Sequence, residues 1–173
     1  MSSPDGGSAG GYSRADRLLH RLAMNPAVLD LSFDLERARY GAAARARHGG
    51  APLFVTGLAR AGTTILLRLL HDSGQFASLT YRDMPFPLAP NSWRKMSKRS
   101  RHDLAARERG HGDGIVHDLD SPEAIEEVFW RTTEGKRYIT RSHLHPHDPS
   151  PDSIAAFRDL VALVRHRYDR PRY

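Results

Sequence analysis

The segment Gly57-Leu58-Ala59-Arg60-Ala61-Gly62-Thr63-Thr64 gathers residue types that can hold an anion. Glycines in a Gly-x4-Gly frame let backbone N–H groups turn inward and approach a phosphate. A helix opening just behind the second glycine adds the positive end of its dipole. Thr63 and Thr64 add two hydroxyl donors, and Thr64 stands at the Ser/Thr position of the phosphate-loop motif. Position 63, however, is Thr where the ATP-binding motif carries lysine. Without that lysine the grip on a transferring γ-phosphate is poor, which argues against an ordinary ATPase or kinase. The cation lies inside the loop instead, at Arg60. A guanidinium keeps its proton, so Arg60 can neutralise growing negative charge but cannot act as an acid. The plain alternative is a glycine-rich turn ahead of a core helix.

The elements around the loop must position it. Pro52-Leu53-Phe54-Val55-Thr56-Gly57 is a short apolar run bounded by turn residues and reads as a buried strand. Ile65, Leu66, Leu69 and Leu70 form one face of a helix that Ser73-Gly74 ends. The order is therefore strand, loop, helix. Ahead of it, residues 1–11 read as a disordered tail. A helix over 12–24 carries Leu18, Leu19 and Leu22 on one face, and Asn25-Pro26 punctuates it. A second helix is expected over 26–47, with Val28, Leu31, Leu35, Ala38 and Ala42 facing inward and Gly49-Gly50 closing it.

Behind the loop, 78–81 reads as a second short strand and 82–90, with three prolines, as a loop. Residues 93–109 hold seven basic side chains and read as partly helical and exposed. His111-Gly112-Asp113-Gly114 reads as a turn. Ser121-Pro122-Glu123 has the makings of a helix start, with Ile125, Val128 and Phe129 buried behind it. Tyr138-Ile139-Thr140 reads as a strand. Ser150-Pro151-Asp152 opens the last helix, with Ile154, Phe157, Val161 and Val164 on its inner face.

Composition narrows the chemistry. The 173 residues suit one domain. Cysteine is absent, which excludes disulfides, thiolate zinc sites and a Cys nucleophile. Lys+Arg is 26 against 20 Asp+Glu, and only Lys95, Lys98 and Lys136 are lysines. The resulting net charge of +6 favours anionic ligands over cationic ones. His143-x-His145-x-His147 with Asp148 invites a metal, but Pro146 and Pro149 break any strand that would align the rings. A polar loop, and no metal, is expected there. The basic 93–109 stretch carries one aromatic, Trp93, so nucleic acid is not expected. No run approaches membrane-span length and no apolar leader opens the chain, so the expectation is a cytoplasmic protein without a transmembrane segment.

Residues 53–64 as they stand resemble the loop with which sulfotransferases grip the 5′-phosphosulfate of 3′-phosphoadenosine 5′-phosphosulfate (PAPS). Arg-x-Gly-Thr-Thr resembles the bacterial and tyrosylprotein branches, where cytosolic enzymes use Lys-x-Gly-Thr. The resemblance extends to Phe33-Asp34-Leu35-Glu36, to Tyr81-Arg82-Asp83-Met84-Pro85-Phe86 with Ala89-Pro90-Asn91-Ser92-Trp93, and to Asp118-Leu119-Asp120-Ser121-Pro122-Glu123-Ala124 with Glu126-Glu127-Val128-Phe129-Trp130. It covers about residues 12–173.

The resemblance implies an α/β P-loop nucleoside triphosphate hydrolase-like (sulfotransferase) fold, truncated, with an N-terminal helix pair. The implied organisation is a tail over 1–11, helices over 12–50, and the N-terminal half of a sulfotransferase-like domain over 51–173. The implied activity is transfer of a sulfonyl group from PAPS, as co-substrate, to a hydroxyl or amine acceptor. Leu58, Ala59, Arg60, Ala61, Gly62, Thr63 and Thr64 would hold PAPS, and Arg60 would be the catalytic cation at the phosphate–sulfate bridge. Asp83 would be the base, its plain alternative being a turn cap or a salt bridge to Arg82; Asp113 and His117 are lesser candidates, and His71 packs at a helix end. Two departures matter. Ala61 stands where Ser is usual, and no Arg/Ser pair for the 3′-phosphate is found before Tyr173. The expectation is half a nucleotide site in an inactive fragment. The alternatives are another P-loop nucleotide-binding transferase using Arg60 for the missing lysine, or a non-catalytic remnant that serves as a binding module. The acceptor and the oligomeric state are not legible.

Overall fold

The computed structural model describes residues 22–58, 60–97 and 119–173, with the backbone of 107–108 and 116–117. The expected tail over 1–11, most of the first helix, Ala59 and Asp113 lie outside the described residues, as does the side chain of His117.

The first long helix, α1, spans Pro26–Ala46. Its start is set by sequence: the Asn25 side chain accepts from the Ala27 N–H at 3.0 Å, and Pro26 takes a position where its missing N–H costs nothing. Leu22 and Ala23 are helical up to the turn before Asn25, the end of the expected helix pair. The next helices are α2 (Thr63–Asp72), α3 (Pro90–Ser97), α4 (Glu127–Thr133), α5 (Gly135–Tyr138) and α6 (Pro151–Tyr168). A 3-10 turn covers Tyr81–Asp83, and β1 (Arg107–Glu108) pairs antiparallel with β2 (Val116–His117). The start of α6 is as expected: the Ser150 side chain caps the Ser153 N–H and Pro151 opens the helix.

The core forms where α6 packs on α1, α3 and α4. Leu160, Leu163 and Val164 of α6 are fully buried with Phe129 of α4, against Leu29, Phe33 and Ala44 of α1. Phe129 stands edge-on to Phe33 with centroids 5.8 Å apart, and Phe157 of α6 lies 4.7 Å from Trp130. Arg37 and Arg45 of α1 both reach Asp159 of α6, at 2.9 and 2.8 Å.

The structure corrects four expectations. The buried face of α1 is Leu29, Phe33, Glu36, Tyr40 and Ala44, whereas Leu31 and Leu35 are each 61% exposed. The face rotates because Phe33 and Tyr40 carry more surface than the leucines, and because Glu36 finds donors inside. Its carboxylate accepts from the Asn91 N–H (2.7 Å), the Ser92 N–H (3.1 Å) and the Ser92 hydroxyl (2.5 Å), capping α3. Second, Ser121-Pro122-Glu123 does not start a helix. Tyr81 and Glu123 N–H groups bond to Ser121 and Leu79 carbonyls, and Pro122 bridges Thr80, so the helix waits until Glu127. Third, Tyr138 ends α5, and Ile139 makes a single bridge to Leu144 rather than a strand.

Fourth, the described chain is mostly helical, and the expected parallel sheet is not formed. Residues 52–57 form no ladder, and of the expected strand 78–81 only Thr80 makes a bridge, to Pro122, before Tyr81 opens the 3-10 turn. A strand is defined by its neighbours, and here these are short: 171–173 beside 50–53 and 75–77, and 121–123 beside 79–81. Among the described residues no helix is long and apolar enough to cross a membrane.

Glu134 ties the α4–α5 corner to α6. Only 2% exposed, it accepts from the Ser150 N–H at 3.0 Å and pairs with Arg137 at 3.1 Å. The Ser153 hydroxyl and the Ser150 N–H hold its carboxyl down at about 2. A depressed carboxyl contributes stability that is present above its unfolded value of 4.5 and is lost as pH falls toward about 2. Acid titration of the urea midpoint should therefore fall between pH 4.5 and 2, and Glu134→Gln should flatten that slope. An unchanged slope in the variant would remove Glu134 from the acid response.

Candidate anion-binding loop

The loop is built by two left-handed residues. Arg60 has φ 65° and Gly62 has φ 83°, and between them the Ala61 N–H donates to the Leu58 carbonyl at 3.1 Å. Glycine takes this conformation freely, while arginine at φ 65° carries strain. Gly57 closes the other side. A Cβ there would meet Thr63 Cγ2 at 3.1 Å and Ala61 Cβ at 3.4 Å, so a side chain at 57 would press on Thr63.

Behind Gly62, α2 begins without a side-chain cap. The first N–H groups of a helix have no intrahelical partner, so those of Thr63 and Thr64 face outward with the dipole behind them. Arg60 is exposed, and its guanidinium makes no ion pair among the described residues. Of the sequence-predicted residues, Arg60, Ala61 and Gly62 lead directly into Thr63 and Thr64 of α2, with the Leu58 carbonyl held by the Ala61 N–H.

Under the loop lies a cavity of about 250 Å³. Gly57, Thr63 and Thr64 line it with His71, Glu126 and Tyr173. Burial, then the Arg170 cation, holds His71 below the ordinary imidazole range, so it is neutral at pH 7. Its carbonyl accepts from Arg170, which also donates to the Phe76 carbonyl at 2.6 Å. This fixes His71 at the end of α2, as expected. Burial raises the Glu126 carboxyl, with Glu123 and Glu127 adding like charge. Sequence reasoning gave Glu126 and Tyr173 no place here; the pairing of 121–123 with 79–81 brings Glu126 beneath the loop, and the return of the chain after α6 brings Tyr173.

Asp83 does not line this cavity. It is 0% exposed, and its Oδ2 accepts from the Thr80 N–H at 3.0 Å and the Tyr168 hydroxyl at 2.5 Å. With Thr80 it closes a capping box on the 3-10 turn, while Arg167 approaches its other oxygen at 3.5 Å. Burial raises its pKa against the pull of these donors. The turn cap weighed beside the catalytic reading is thus the role its contacts describe. Arg82 pairs not with Asp83 but with Asp120, at 2.5 and 2.7 Å. A raised carboxyl contributes stability present below its unfolded pKa and lost as pH rises through the folded one, the opposite sense to Glu134. Asp83→Ala should lower stability by about 2–3 kcal/mol, since it orphans buried donors, yet leave loop affinity within twofold. Urea unfolding and nucleotide titration of one sample separate the two effects.

Of the three histidines of the 143–147 stretch, His143 and His145 have ring centroids 6.1 Å apart and His147 turns away from them. His147 stacks on Tyr138 at 5.0 Å and faces Glu134, while His143 bonds to the Ser142 hydroxyl at 2.6 Å. Among the described residues no group of three His, Cys, Asp or Glu side chains is placed to hold a metal.

Compared with protein-family models, with curated proteins and with solved structures, the chain matches none of them.

Proposed function

We propose that the 57–64 loop binds the phosphosulfate end of PAPS, and that the chain belongs to the machinery of sulfonyl transfer. The observation that carries this reading is the uncapped N-terminus of α2, entered through a left-handed turn whose exposed arginine has no ion pair among the described residues. Backbone donors, a helix dipole and an unshared cation are what a leaving phosphate needs. In the transfer, an acceptor oxygen or nitrogen attacks sulfur in line. The bond from sulfur to the bridging oxygen breaks, adenosine 3′,5′-bisphosphate departs with the electron pair, and the proton of the attacking hydroxyl or amine passes to water. Arg60 neutralises the charge that grows on that oxygen, and the Thr63 and Thr64 N–H groups hold the neighbouring phosphate oxygens. Asp83, committed to its turn, is left out of this chemistry.

A second reading has its own support. Leu53, Phe54, Leu66 and Leu69 are about half exposed or more, so apolar surface on both flanks of the loop is uncovered, as a binding module would be. Calorimetric titration decides among the readings. Adenosine 3′,5′-bisphosphate binding at least tenfold tighter than ADP supports the PAPS assignment. Preference for ATP with magnesium would replace it by another P-loop transferase. No nucleotide binding by a folded chain would leave the module.

A further inference from the structure

Three helices bring basic side chains to one tyrosine. Tyr40 belongs to the inward face of α1 and is 9% exposed. Lys95, in the last turn of α3, places its ammonium 5.0 Å from the centre of the Tyr40 ring. Arg39, the neighbour of Tyr40 on α1, places its guanidinium carbon 5.6 Å from the same centre. His166 of α6 sets its imidazole 6.2 Å away, tilted by 39°. The face of an aromatic ring attracts a cation, but it carries no net charge and neutralises neither of the two.

Nothing among the described residues balances them. Arg39 and Lys95 are exposed and enter no ion pair there. Within two turns of Tyr40 and His166 along the chain, every carboxylate is committed elsewhere. Asp34 faces Arg37, and Glu36 accepts the three donors of α3. Asp159 takes Arg37 and Arg45, and Asp169 takes Arg47.

A second observation is independent of charge. The Tyr40 hydroxyl and His166 Nδ1 are both buried without a hydrogen-bond partner among the described residues. Such atoms destabilise a fold unless a water or an ion meets them. A phenol hydroxyl can donate, and so can the imidazole nitrogen in the tautomer that protonates it. We propose that this corner binds the phosphate group of a small phosphate monoester. Its charge of nearly two matches the two cations, and its three terminal oxygens can meet donors that arrive from three helices. A carboxylate or a phosphodiester brings one charge only. This site stands on the Tyr40 corner and not on the nucleotide reading of the 57–64 loop.

The test is an NMR titration of the full 173-residue chain with methyl phosphate. It runs at about pH 8, where the monoester is dianionic, with ionic strength held by chloride. Saturable shifts are expected at Tyr40, Lys95 and the His166 ring. Dimethyl phosphate, with one charge, should bind about tenfold more weakly. Arg39→Gln and Lys95→Gln should each weaken methyl phosphate about tenfold, and together abolish saturation. Both positions are exposed, so the variants keep the fold. Tyr40→Phe should weaken binding about tenfold. Without ligand its urea midpoint should be unchanged or raised, since the hydroxyl it removes strands no partner.

The proposal is overturned if methyl phosphate gives no saturable shifts at these three residues, or if dimethyl phosphate binds as tightly. Undiminished binding by Tyr40→Phe or by the double variant overturns it too. So does a Lys95→Gln chain that loses stability and no affinity, which would leave Lys95 as the counter-charge to the end of α3. Shifts at Gly62, Thr63 and Thr64 report the loop separately, so either site can fail alone.

Discussion

Arg60→Ala should weaken adenosine 3′,5′-bisphosphate binding by about 10- to 100-fold, the equivalent of one charge-assisted hydrogen bond of about 1.5–3 kcal/mol. The guanidinium is exposed, so its removal leaves no buried partner stranded. Stability should stay within about 0.5 kcal/mol, as for surface changes. A companion variant separates charge from backbone. At φ 65° a non-glycine residue carries roughly 1–2 kcal/mol of strain, and glycine's greater freedom in the unfolded chain returns part of it. Arg60→Gly should therefore lose the same affinity and gain up to about 1 kcal/mol of stability. Lysine at this position should recover part of the affinity, because it restores charge without the fork. If alanine and glycine bound as tightly as arginine, the loop would owe nothing to its cation.

Glu36→Ala should be the most damaging single change to the fold, lowering stability by about 3–5 kcal/mol. The carboxylate is 0% exposed and receives three donors from the first turn of α3. Removing it leaves those donors buried without an acceptor and opens a cavity, and such losses add. α3 is also where Asn91 Nδ2 reaches the Leu163 carbonyl of α6 at 3.0 Å, so the damage should spread to the α3–α6 contact. Glu36→Gln keeps the acceptor oxygen and should lose less than half as much. Urea unfolding followed by circular dichroism gives both numbers. Equal losses for Ala and Gln would mean that charge, not acceptor geometry, is what α3 requires.

Local signals were readable where they act locally. Asn25-Pro26 and Ser150-Pro151 cap α1 and α6 because a cap needs only its own next three residues. The 57–64 loop was readable for the same reason: its glycines and threonines act within one turn. The inward face of α1 was not, since a buried glutamate looks polar until α3 arrives to donate to it. Ser121-Pro122-Glu123 carries a cap's residue types, yet its backbone pairs with 79–81, a contact across more than one element. Residues 52–57 carry strand composition, but a strand needs neighbours on its edges, and sequence does not say whether they are present. Asp83 shows the converse. A lone carboxylate after a phosphate loop invites a catalytic role, and only Thr80, Arg167 and Tyr168 reveal it as the cap of a turn.

The most direct test of the loop is an amide chemical-shift titration with adenosine 3′,5′-bisphosphate. The account predicts saturable shifts centred on Gly62, Thr63 and Thr64, which in Arg60→Ala need about 10- to 100-fold more ligand to saturate and which Asp83→Ala leaves untouched at a pH where that variant stays folded. Shifts centred instead on the arginines of α6, or none at concentrations that saturate known nucleotide sites, would contradict it.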